Sequence, residues 1–436
     1  MNNILIGGIG LLVMLVLLLA GVNVGFTLAA IGSVGLCLIL GPKAAVSFVA
    51  SNAFSYTISS AFLVLPCFIL MGLLVMETGI GPVAYRSLNK LFGRAPAGLG
   101  ISTVAGCALF GAMIGTAGST AMIFGKIACP EMRKYGYDKK FAYGLVSASS
   151  LLGMLIPPST LAVVYGVVTG ESIGKLLFGG VGPGILLALL YSGLSIIMVL
   201  RNPSLAPRYQ ETVTWKERGR AIVDLWPILL VGLVVVGGIY GGVFTPLEAG
   251  AWGCVVVIAI GAFQKTIGLK QIWNAVEETV GMCAMVFIVL TGGRIFSKFL
   301  TISGLSQVAV NWITNTVQHP WQLVAAMVVL YLILGCFLEA NSIIMITIPV
   351  MYPAVHAMGI NPIWFGMVLI LALHAGMITP PLGMVVYSVK SVAPSDVSLE
   401  DIFSGIWPFL AMVVLCTALV IIFPQIATWL PSRMFG

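Results

Sequence analysis

Long apolar runs, separated by short polar stretches, dominate this chain, and each is about as long as a helix that crosses a bilayer. The uninterrupted runs predict simple membrane crossings at 3–20, 26–42, 58–76, 176–200, 224–243, 246–263, 272–290 and 402–424. Two segments of mixed polarity, 78–95 and 291–318, predict amphipathic arms that lie at the membrane interface. The most polar stretch, 201–222, predicts a connector between two halves of the protein.

Glycine, proline and small polar residues recur in the two halves at a separation of 223 positions. Gly-Ser-Thr at 118–120 corresponds to Ala-Asn-Ser at 340–342. Gly-Met-Leu-Ile-Pro-Pro at 153–158 corresponds to Gly-Met-Ile-Thr-Pro-Pro at 376–381. Paired copies of an interrupted apolar segment are the best sequence sign of the binding site of a secondary transporter.

The repeated segments predict interrupted membrane elements. Runs 97–134 and 321–357 each hold two short apolar stretches around a polar tip, which predicts re-entrant hairpins. Runs 141–168 and 363–390 carry a Pro-Pro pair near the middle and predict broken helices, because proline lacks an N–H and clashes with the preceding turn. Five crossings separate the hairpins, so the second hairpin enters from the opposite face and the repeat is inverted.

These elements predict an all-α polytopic membrane protein with five consecutive regions. They are scaffold helices with the first arm (1–95), the first transport part (96–172), scaffold helices with the connector and second arm (173–318), the second transport part (319–395) and a C-terminal helix (396–436). Placing the N-terminus outside puts most Lys and Arg residues in cytoplasmic loops, as the positive-inside rule requires. The connector is then cytoplasmic.

Each polar tip and the break of the same copy predict one cation site. Hydroxyl groups and carbonyls that proline frees from helical pairing are hard oxygen ligands and suit sodium. The residues that we expect at two sodium sites are Gly118, Ser119, Thr120, Gly153, Ile156, Pro157 and Ser159 in the first copy, and Asn341, Ser342, Gly376, Thr379 and Pro380 in the second. The alternative, that these residues only permit close helix packing, is less favoured because both copies match.

Helices that start after Thr120 and after Ser342 would point their positive ends at the protein centre and favour a carboxylate substrate. The candidate substrate residues are Thr120, Ser159, Glu339, Ser342, Pro381 and Arg294. Several side chains leave alternatives open. Glu339 either binds a cation, a proton or a substrate hydroxyl, or caps the helix that follows. His374 either couples protons or packs with a hydrogen bond. Arg294 either anchors substrate or snorkels to the interface.

The composition supports a membrane protein and excludes several functions. Of the 436 residues, 59% are hydrophobic and 8% charged, whereas soluble domains average about 25% charged residues. The net charge of +7 reflects loops that orient the chain, not nucleic-acid binding. The 8 cysteines form no Cys-x-x-Cys pair, which argues against a disulfide framework and a zinc site. The sequence has no P-loop for ATP and no His-Glu-x-x-His or Gly-x-Ser-x-Gly motif of an enzyme.

The chain resembles the large membrane subunit of tripartite ATP-independent periplasmic (TRAP) transporters, the DctM family. The resemblance covers nearly the whole length. The residues that carry it are Leu-Phe-Gly-Arg at 91–94, Gly-Thr-Ala-Gly-Ser-Thr at 115–120, Pro-Glu-Met-Arg-Lys-Tyr-Gly-Tyr-Asp at 130–138, Leu-Ile-Pro-Pro-Ser at 155–159, Tyr-Gly at 165–166, Glu-Ser-Ile-Gly at 171–174, Gly-Pro-Gly at 182–184, Gly-Cys-Phe-Leu-Glu at 335–339 and Thr-Pro-Pro-Leu-Gly at 379–383.

The resemblance implies a multi-pass elevator-type transporter of the bacterial inner membrane, driven by two or more sodium ions and not by ATP. It also implies two partners, a small membrane subunit and a periplasmic binding protein that delivers an organic anion such as a dicarboxylate, a sialic acid or another sugar acid. Two positions depart from the family pattern, since Glu339 stands where we expect Asp and His374 replaces other residues. No small-subunit helices precede the pattern, so we expect an unfused subunit.

Two other functions compete with this interpretation. A stand-alone ion-coupled carboxylate carrier of the same architecture would need no binding protein. A membrane enzyme would need a catalytic set, and the sequence offers none.

Overall fold

The computed structural model describes residues 3–57, 60–207, 214–317 and 319–435. Within these ranges all regular elements are helices. Five of the described helices are long and apolar enough to cross a membrane, or up to seven if each bent helix pair counts as one span. The first two residues of the predicted crossing 58–76 and positions 208–213 of the predicted connector lie outside the described residues.

The helices follow one another with short connections. They are α1 (Asn3–Leu19), α2 (Val24–Leu40), α3 (Pro42–Thr57), α4 (Ser60–Glu77), α5 (Ile80–Phe92), α6 (Gly98–Ile114), α7 (Ala117–Lys134), α8 (Lys139–Ser149), α9 (Thr160–Thr169), α10 (Ile173–Gly179), α11 (Val181–Arg201), α12 (Trp215–Asp224), α13 (Trp226–Gly232), α14 (Gly238–Tyr240), α15 (Pro246–Phe263), α16 (Leu269–Ile302), α17 (Leu305–Thr316), α18 (Pro320–Gly335), α19 (Ala340–Ala357), α20 (Pro362–Ile378), α21 (Met384–Lys390), α22 (Leu399–Ile422) and α23 (Gln425–Phe435). A 3-10 turn (Ser150–Met154) extends α8, and a π-helical turn (Leu233–Gly237) joins α13 to α14.

The repeat is visible in the helix boundaries themselves. Helix α7 (Ala117–Lys134) and helix α19 (Ala340–Ala357) both contain 18 residues, and both their first and last residues are 223 positions apart. The helices that follow, α8 and α20, begin at Lys139 and Pro362 with the same separation. Both Pro-Pro pairs, Pro157-Pro158 and Pro380-Pro381, contain a cis peptide bond. The prediction of an all-helical protein with two hairpins (α6–α7 and α18–α19) and two broken helices (α8–α9 and α20–α21) is confirmed.

A scaffold forms around the long helix α16, which packs on α2 and α4, and α4 packs in turn on α15. Small residues permit this contact, since a Cβ on Gly292 of α16 would lie 2.3 Å from the carbonyl oxygen of Gly25 in α2. In a membrane, such close backbone approach is the usual way in which helices associate.

The two hairpins and the two broken helices pack together with the C-terminal helices. Helix α22 lies against α8 and α20, while α23 lies against α10. A Cβ on Gly405 of α22 would lie only 1.9 Å from the carbonyl oxygen of Lys140, so glycine is required at this crossing. The segment 396–436, which we expected to be a separate region, therefore packs on the repeat helices.

Two boundaries differ from those that the sequence predicted. The crossing 272–290 and the start of the arm 291–318 form one continuous helix of 34 residues, α16, and only α17 remains as an arm. The charges of Arg294 and Lys298 lowered the local hydropathy, but nothing there breaks a helix before Gly304, which has a φ of +79°. Helix α3 was not predicted because its polar residues, including Ser47 and Ser51, resemble a loop.

Candidate functional site

The first hairpin tip is a glycine turn followed by an uncapped helix. Gly115 has a φ of +72° and ends α6, and Thr116 is extended with a φ of −130° and a ψ of 137°. Helix α7 therefore begins at Ala117, so the expectation that it starts after Thr120 was wrong. The left-handed glycine, not the Ser-Thr pair, sets the turn. Gly118 and Ser119 lie in the first turn of α7, where the Thr120 hydroxyl donates to the Thr116 carbonyl at 2.8 Å.

The second hairpin tip is capped by a carboxylate. Glu339 accepts hydrogen bonds from the Ser342 main-chain N–H at 3.1 Å and from the Asn341 side-chain amide at 2.7 Å. Helix α19 therefore starts at Ala340, earlier than the expected position after Ser342. Of the alternatives for Glu339, the structure shows the helix cap, in which a carboxylate pairs with the positive end of a helix.

The first tip lies directly against the first break. A Cβ on Gly111 near the end of α6 would lie 2.6 Å from the Cα of Gly153, so the two backbones touch. The Thr160 hydroxyl, at the start of α9, donates to the Gly115 carbonyl at 2.7 Å. Ser159 caps α9 by accepting from the Ala162 N–H at 3.2 Å. The Ser159 hydroxyl also donates to the carbonyl of Met154, at the far side of the break.

The second tip and break repeat this arrangement. A Cβ on Gly376 would lie 2.7 Å from the Cα of Gly335, the last residue of α18. The Thr379 hydroxyl donates to the Ala375 carbonyl at 2.6 Å. Pro380 is half-buried, whereas Pro381 is exposed. Each tip thus meets the break of its own copy, as the pairing of tip and break in the predicted cation sites requires.

The side chain of Ile156 packs against α11 and carries no oxygen that could bind a cation. A Cβ on Gly184 of α11 would lie 2.5 Å from Cγ1 of Ile156. Only the main-chain carbonyls of Ile156 and Pro157 therefore remain as possible cation ligands at this position. Within the described part of the chain, no three His, Cys, Asp or Glu side chains form a group that could hold a metal ion.

A central cavity of about 160 Å³ lies between the two tips and the scaffold. The tips contribute Thr116, Glu339 and Asn341, and α9 contributes Thr160 and Val164. The remaining wall is apolar and is formed by Met345 together with scaffold residues that include Leu65, Ile69, Met282, Met285, Val286 and Val289. The cavity thus lies between the scaffold helices α4 and α16 and the repeat helices α9 and α19.

Two buried polar atoms at this cavity lack a hydrogen-bond partner among the described residues, the Thr116 hydroxyl oxygen and the Asn341 side-chain oxygen. The orientation of the Asn341 amide follows from its neighbour, because only its NH₂ group can donate to the Glu339 carboxylate. Buried polar atoms are normally paired, so unpaired ones beside a cavity mark a place where a ligand completes the bonding.

Of the predicted substrate residues, one lines the central cavity, four do not, and Arg294 lines an adjoining cavity. Glu339 lines the central cavity, whereas Thr120, Ser159, Ser342 and Pro381 are not among its lining residues. Thr116 and Thr160 were not among the residues predicted from the sequence, and Asn341 was predicted only at the sodium sites. Thr116 lies inside the repeated Gly-Thr-Ala-Gly-Ser-Thr segment at 115–120, so a signal for it was present.

An adjoining cavity of about 250 Å³ shares Leu290 and Met345 with the central cavity and contains Arg294 and Tyr352. The Arg294 guanidinium donates to the Val167 carbonyl at 2.8 Å. That carbonyl belongs to the last turn of α9, where a cation pairs favourably with the negative end of the helix. Arg294 therefore lies beside a cavity and links α16 of the scaffold to α9.

His374 is completely buried in α20, and neither of its ring nitrogens has a hydrogen-bond partner in the described parts of the chain. His374 is thus a buried packing residue, and the hydrogen bond that the sequence predicted for it is not present among the described residues. Its neighbours in sequence, Leu373 and Ala375, are buried as well.

Outside the apolar segments, an ion pair joins the first repeat copy to the loop that precedes the C-terminal helix α22. The Arg133 guanidinium, near the end of α7, lies 2.7 Å from the Asp396 carboxylate in the loop that precedes α22. A second contact runs from the Lys139 ammonium to the Asp396 carbonyl at 3.3 Å. The hydrogen bond from Arg133 holds the pKa of Asp396 below its ordinary value, and the charges of Arg133 and Lys139 act in the same direction.

Comparisons with known proteins agree with this architecture. The family model described as "Tripartite ATP-independent periplasmic transporter, DctM component" matches residues 11–426. The sialic acid TRAP transporter large permease protein SiaM of Vibrio cholerae is 31% identical over 422 residues, which is 96% of this chain and 97% of that protein. The ectoine TRAP transporter large permease protein TeaC of Halomonas elongata is 30% identical over 429 residues, covering 97% of this chain and 98% of that protein.

A solved structure shares the fold. The crystal structure of the YdaH transporter of Alcanivorax borkumensis superimposes with a TM-score of 0.64 and covers 99% of both chains. The two sequences are only 14% identical, so this likeness concerns the fold alone.

Proposed function

The chain belongs to the DctM component family of tripartite ATP-independent periplasmic transporters, and on that premise we propose that it imports an organic anion together with sodium ions. It is a multi-pass membrane protein and a TRAP large permease, like its relatives. The names of the relatives refer to sialic acid, ectoine and C4-dicarboxylates, so the family membership alone leaves the substrate open.

The observation that carries the proposal is the uncapped start of α7 at the central cavity. Three helices begin beside this cavity, and two of them have side-chain caps, Ser159 for α9 and Glu339 for α19. Helix α7 has none, because the Thr116 side chain makes no capping hydrogen bond. A substrate carboxylate would accept from the free N–H groups of α7 and meet the unpaired Thr116 hydroxyl.

We propose that the coupling sodium ions bind on the far side of each tip, between tip and break. There the carbonyls of the breaks, together with the Ser119 and Ser159 hydroxyls in the first copy and the Ser342 and Thr379 hydroxyls in the second, supply hard oxygen ligands. The close backbone contacts of Gly111 with Gly153 and of Gly335 with Gly376 support this placement, because they hold each tip beside its break. Sodium binding would then order the tips that form the cavity.

The position of the cavity supports an elevator mechanism. Its polar residues belong to the tips and α9, whereas most of its apolar wall belongs to α4 and α16 of the scaffold. A substrate held by the tips would thus travel with the repeat helices as they slide along the scaffold. The inversion of the repeat supplies the two equivalent end positions that alternating access needs.

We further propose that the permease works with a small membrane subunit and a periplasmic binding protein, in the bacterial inner membrane. The family description, with its words tripartite and periplasmic, supports both partners. The distribution of Lys and Arg supports a periplasmic N-terminus and a cytoplasmic connector.

Reconstitution tests the proposal and separates it from a stand-alone carrier. Proteoliposomes would contain the permease with its small subunit, with the binding protein outside, and a sodium gradient would be imposed. We expect uptake of the solute that the binding protein delivers, and loss of uptake when choline replaces sodium. Uptake by the permease alone would favour the stand-alone carrier. Sodium-independent uptake would contradict the coupling.

A further inference from the structure

The apolar wall of the central cavity carries a conclusion about the substrate class, which rests on the proposed function. Beyond the polar tip residues, the cavity is lined by branched aliphatic and thioether side chains, among them Val164, Met282, Met285, Val286 and Val289. Val164 belongs to α9, one of the repeat helices, and the other four belong to α16 of the scaffold. The apolar character therefore belongs to the whole wall opposite the tips.

The volume of the cavity indicates the size of the apolar group that it can hold. A cavity of about 150 Å³ lined by apolar side chains holds benzene in another protein. The central cavity, at about 160 Å³, therefore accommodates an apolar group of about six carbon atoms.

The few polar groups of the cavity limit the hydrogen bonds that a substrate can make there. The Thr160 hydroxyl already donates to Gly115, and the Asn341 amide NH₂ already donates to Glu339. The Thr116 hydroxyl and the Asn341 oxygen remain unpaired. A carboxylate with at most one further hydrogen-bond donor matches this set, whereas the hydroxyl row of a sugar acid would lie unpaired against methionine and valine.

The charge of the cavity disfavours a second carboxylate. Glu339 is the ionisable residue among the residues that line it, and a carboxyl group supplies no positive charge to pair with a second carboxylate. Arg294 lines the adjoining cavity and is not among the residues that line the central one. A dicarboxylate would place its second charge against the apolar wall or near Glu339, and both positions are unfavourable.

We propose that this permease selects small monocarboxylic acids with an apolar body of about six carbon atoms, such as branched-chain or aryl acids. The carboxylate binds at the start of α7, and the apolar body fills the space between α9 and α16. Sugar acids, sialic acids and dicarboxylates bind at least about tenfold more weakly.

Thermal unfolding of the purified full-length permease tests this selectivity. The probes are 4-methylpentanoate and phenylacetate, compared with gluconate, N-acetylneuraminate and succinate at equal concentrations, in sodium chloride or in choline chloride. We expect the two apolar acids to raise the Tm in sodium and the three polar acids to leave it unchanged. An equal or larger shift with any polar acid, or no shift with the apolar acids, would overturn the proposal.

A matched pair of variants on α16 excludes binding to the detergent or to the protein surface. Val286→Phe fills the cavity, whereas Val280→Phe adds the same group at a position that is 63% exposed and outside the cavity lining. We expect Val286→Phe to abolish the shift with apolar acids and Val280→Phe to retain it. The Tm increase with sodium alone shows that both variants are folded. A retained ligand shift in Val286→Phe would contradict the proposal.

The reconstituted uptake assay distinguishes failure of the proposed function from failure of the proposed selectivity. Sodium-driven uptake of a sugar acid would leave the proposed function intact and disprove this selectivity. Binding of the apolar acids without sodium-driven uptake of any solute would disprove the proposed function and leave this selectivity intact.

Discussion

The contact between the first tip and the first break can be disturbed by a single methyl group. In Gly153→Ala, the new Cβ would lie 2.7 Å from the Cα of Gly111. Carbon atoms prefer a separation of about 3.5–4.0 Å, so the tip and the break must move apart by roughly 1 Å. Both sides of this contact are backbone, and no flexible side chain can give way. Overpacking of this kind costs roughly 1–3 kcal/mol.

We therefore expect Gly153→Ala to lower the Tm of the purified permease and to raise the sodium concentration needed for half-maximal uptake. The second effect follows because the proposed ligands lie on both sides of the gap. Gly193→Ala is the matched control, since a Cβ at Gly193 in α11 would have no atom within 4 Å. That variant should gain about 0.5–1 kcal/mol from the better helix propensity of alanine.

Thermal unfolding and sodium-dependent uptake would be measured for both variants in parallel. If Gly153→Ala behaved like Gly193→Ala in both assays, the tip and the break would not be held together as described. A loss of stability with an unchanged sodium response would support the contact between the tip and the break but contradict a sodium site at this contact.

Three further predictions use the same assays. Ser119→Ala and Ser342→Ala should each cost about 1 kcal/mol, or roughly fivefold, in sodium affinity. The control is Ser195→Ala, because the buried Ser195 hydroxyl donates to a carbonyl within α11. If the two tip variants responded to sodium like this control, the ligand assignment would be disproved. Arg294→Ala should lower stability by about 1–2 kcal/mol, because it removes the contact with the Val167 carbonyl at the end of α9, and it should leave the KM for substrate unchanged. A raised KM would show that Arg294 anchors the substrate instead. Because the folded-state pKa of Asp396 is lowered, its ion pair stabilises the protein above its ordinary pKa of about 3.9, and this stability is lost as the pH falls through the folded-state value. The Tm advantage over Asp396→Asn, measured across pH, should therefore disappear in acid; a constant difference would contradict the linkage.

Much of the fold was predictable because the signals are local. Proline and glycine act on their own backbone, so Pro157-Pro158 and Pro380-Pro381 placed the breaks correctly. The fixed separation of the two copies paired the hairpins and predicted the matching helix boundaries of α7 and α19. Hydropathy placed helical segments at the uninterrupted apolar runs, and four of these runs coincide with helices long and apolar enough to cross a membrane.

The errors arose where a local rule was incomplete. The helices at the tips begin before the residues that the sequence analysis selected, because a left-handed Gly115 sets one turn and the Glu339 carboxylate caps the other helix. The charges of Arg294 and Lys298 suggested the end of a crossing, yet α16 continues through both. A charged residue is tolerated in a long helix when a partner pairs with it, as the Val167 carbonyl does for Arg294.

The sequence by itself determined the membrane character, the repeat and the identity of the interrupted elements, because each of these follows from hydrophobicity and from proline and glycine at fixed positions. Only the tertiary structure decided which atoms face the central cavity. Thr116 and Asn341 line it with buried side-chain oxygens that have no partner among the described residues, while the Ser159 and Thr120 hydroxyls donate to nearby carbonyls. The physical reason is that the cavity is lined by groups far apart in the chain, which the packing of the repeat helices against α16 brings together.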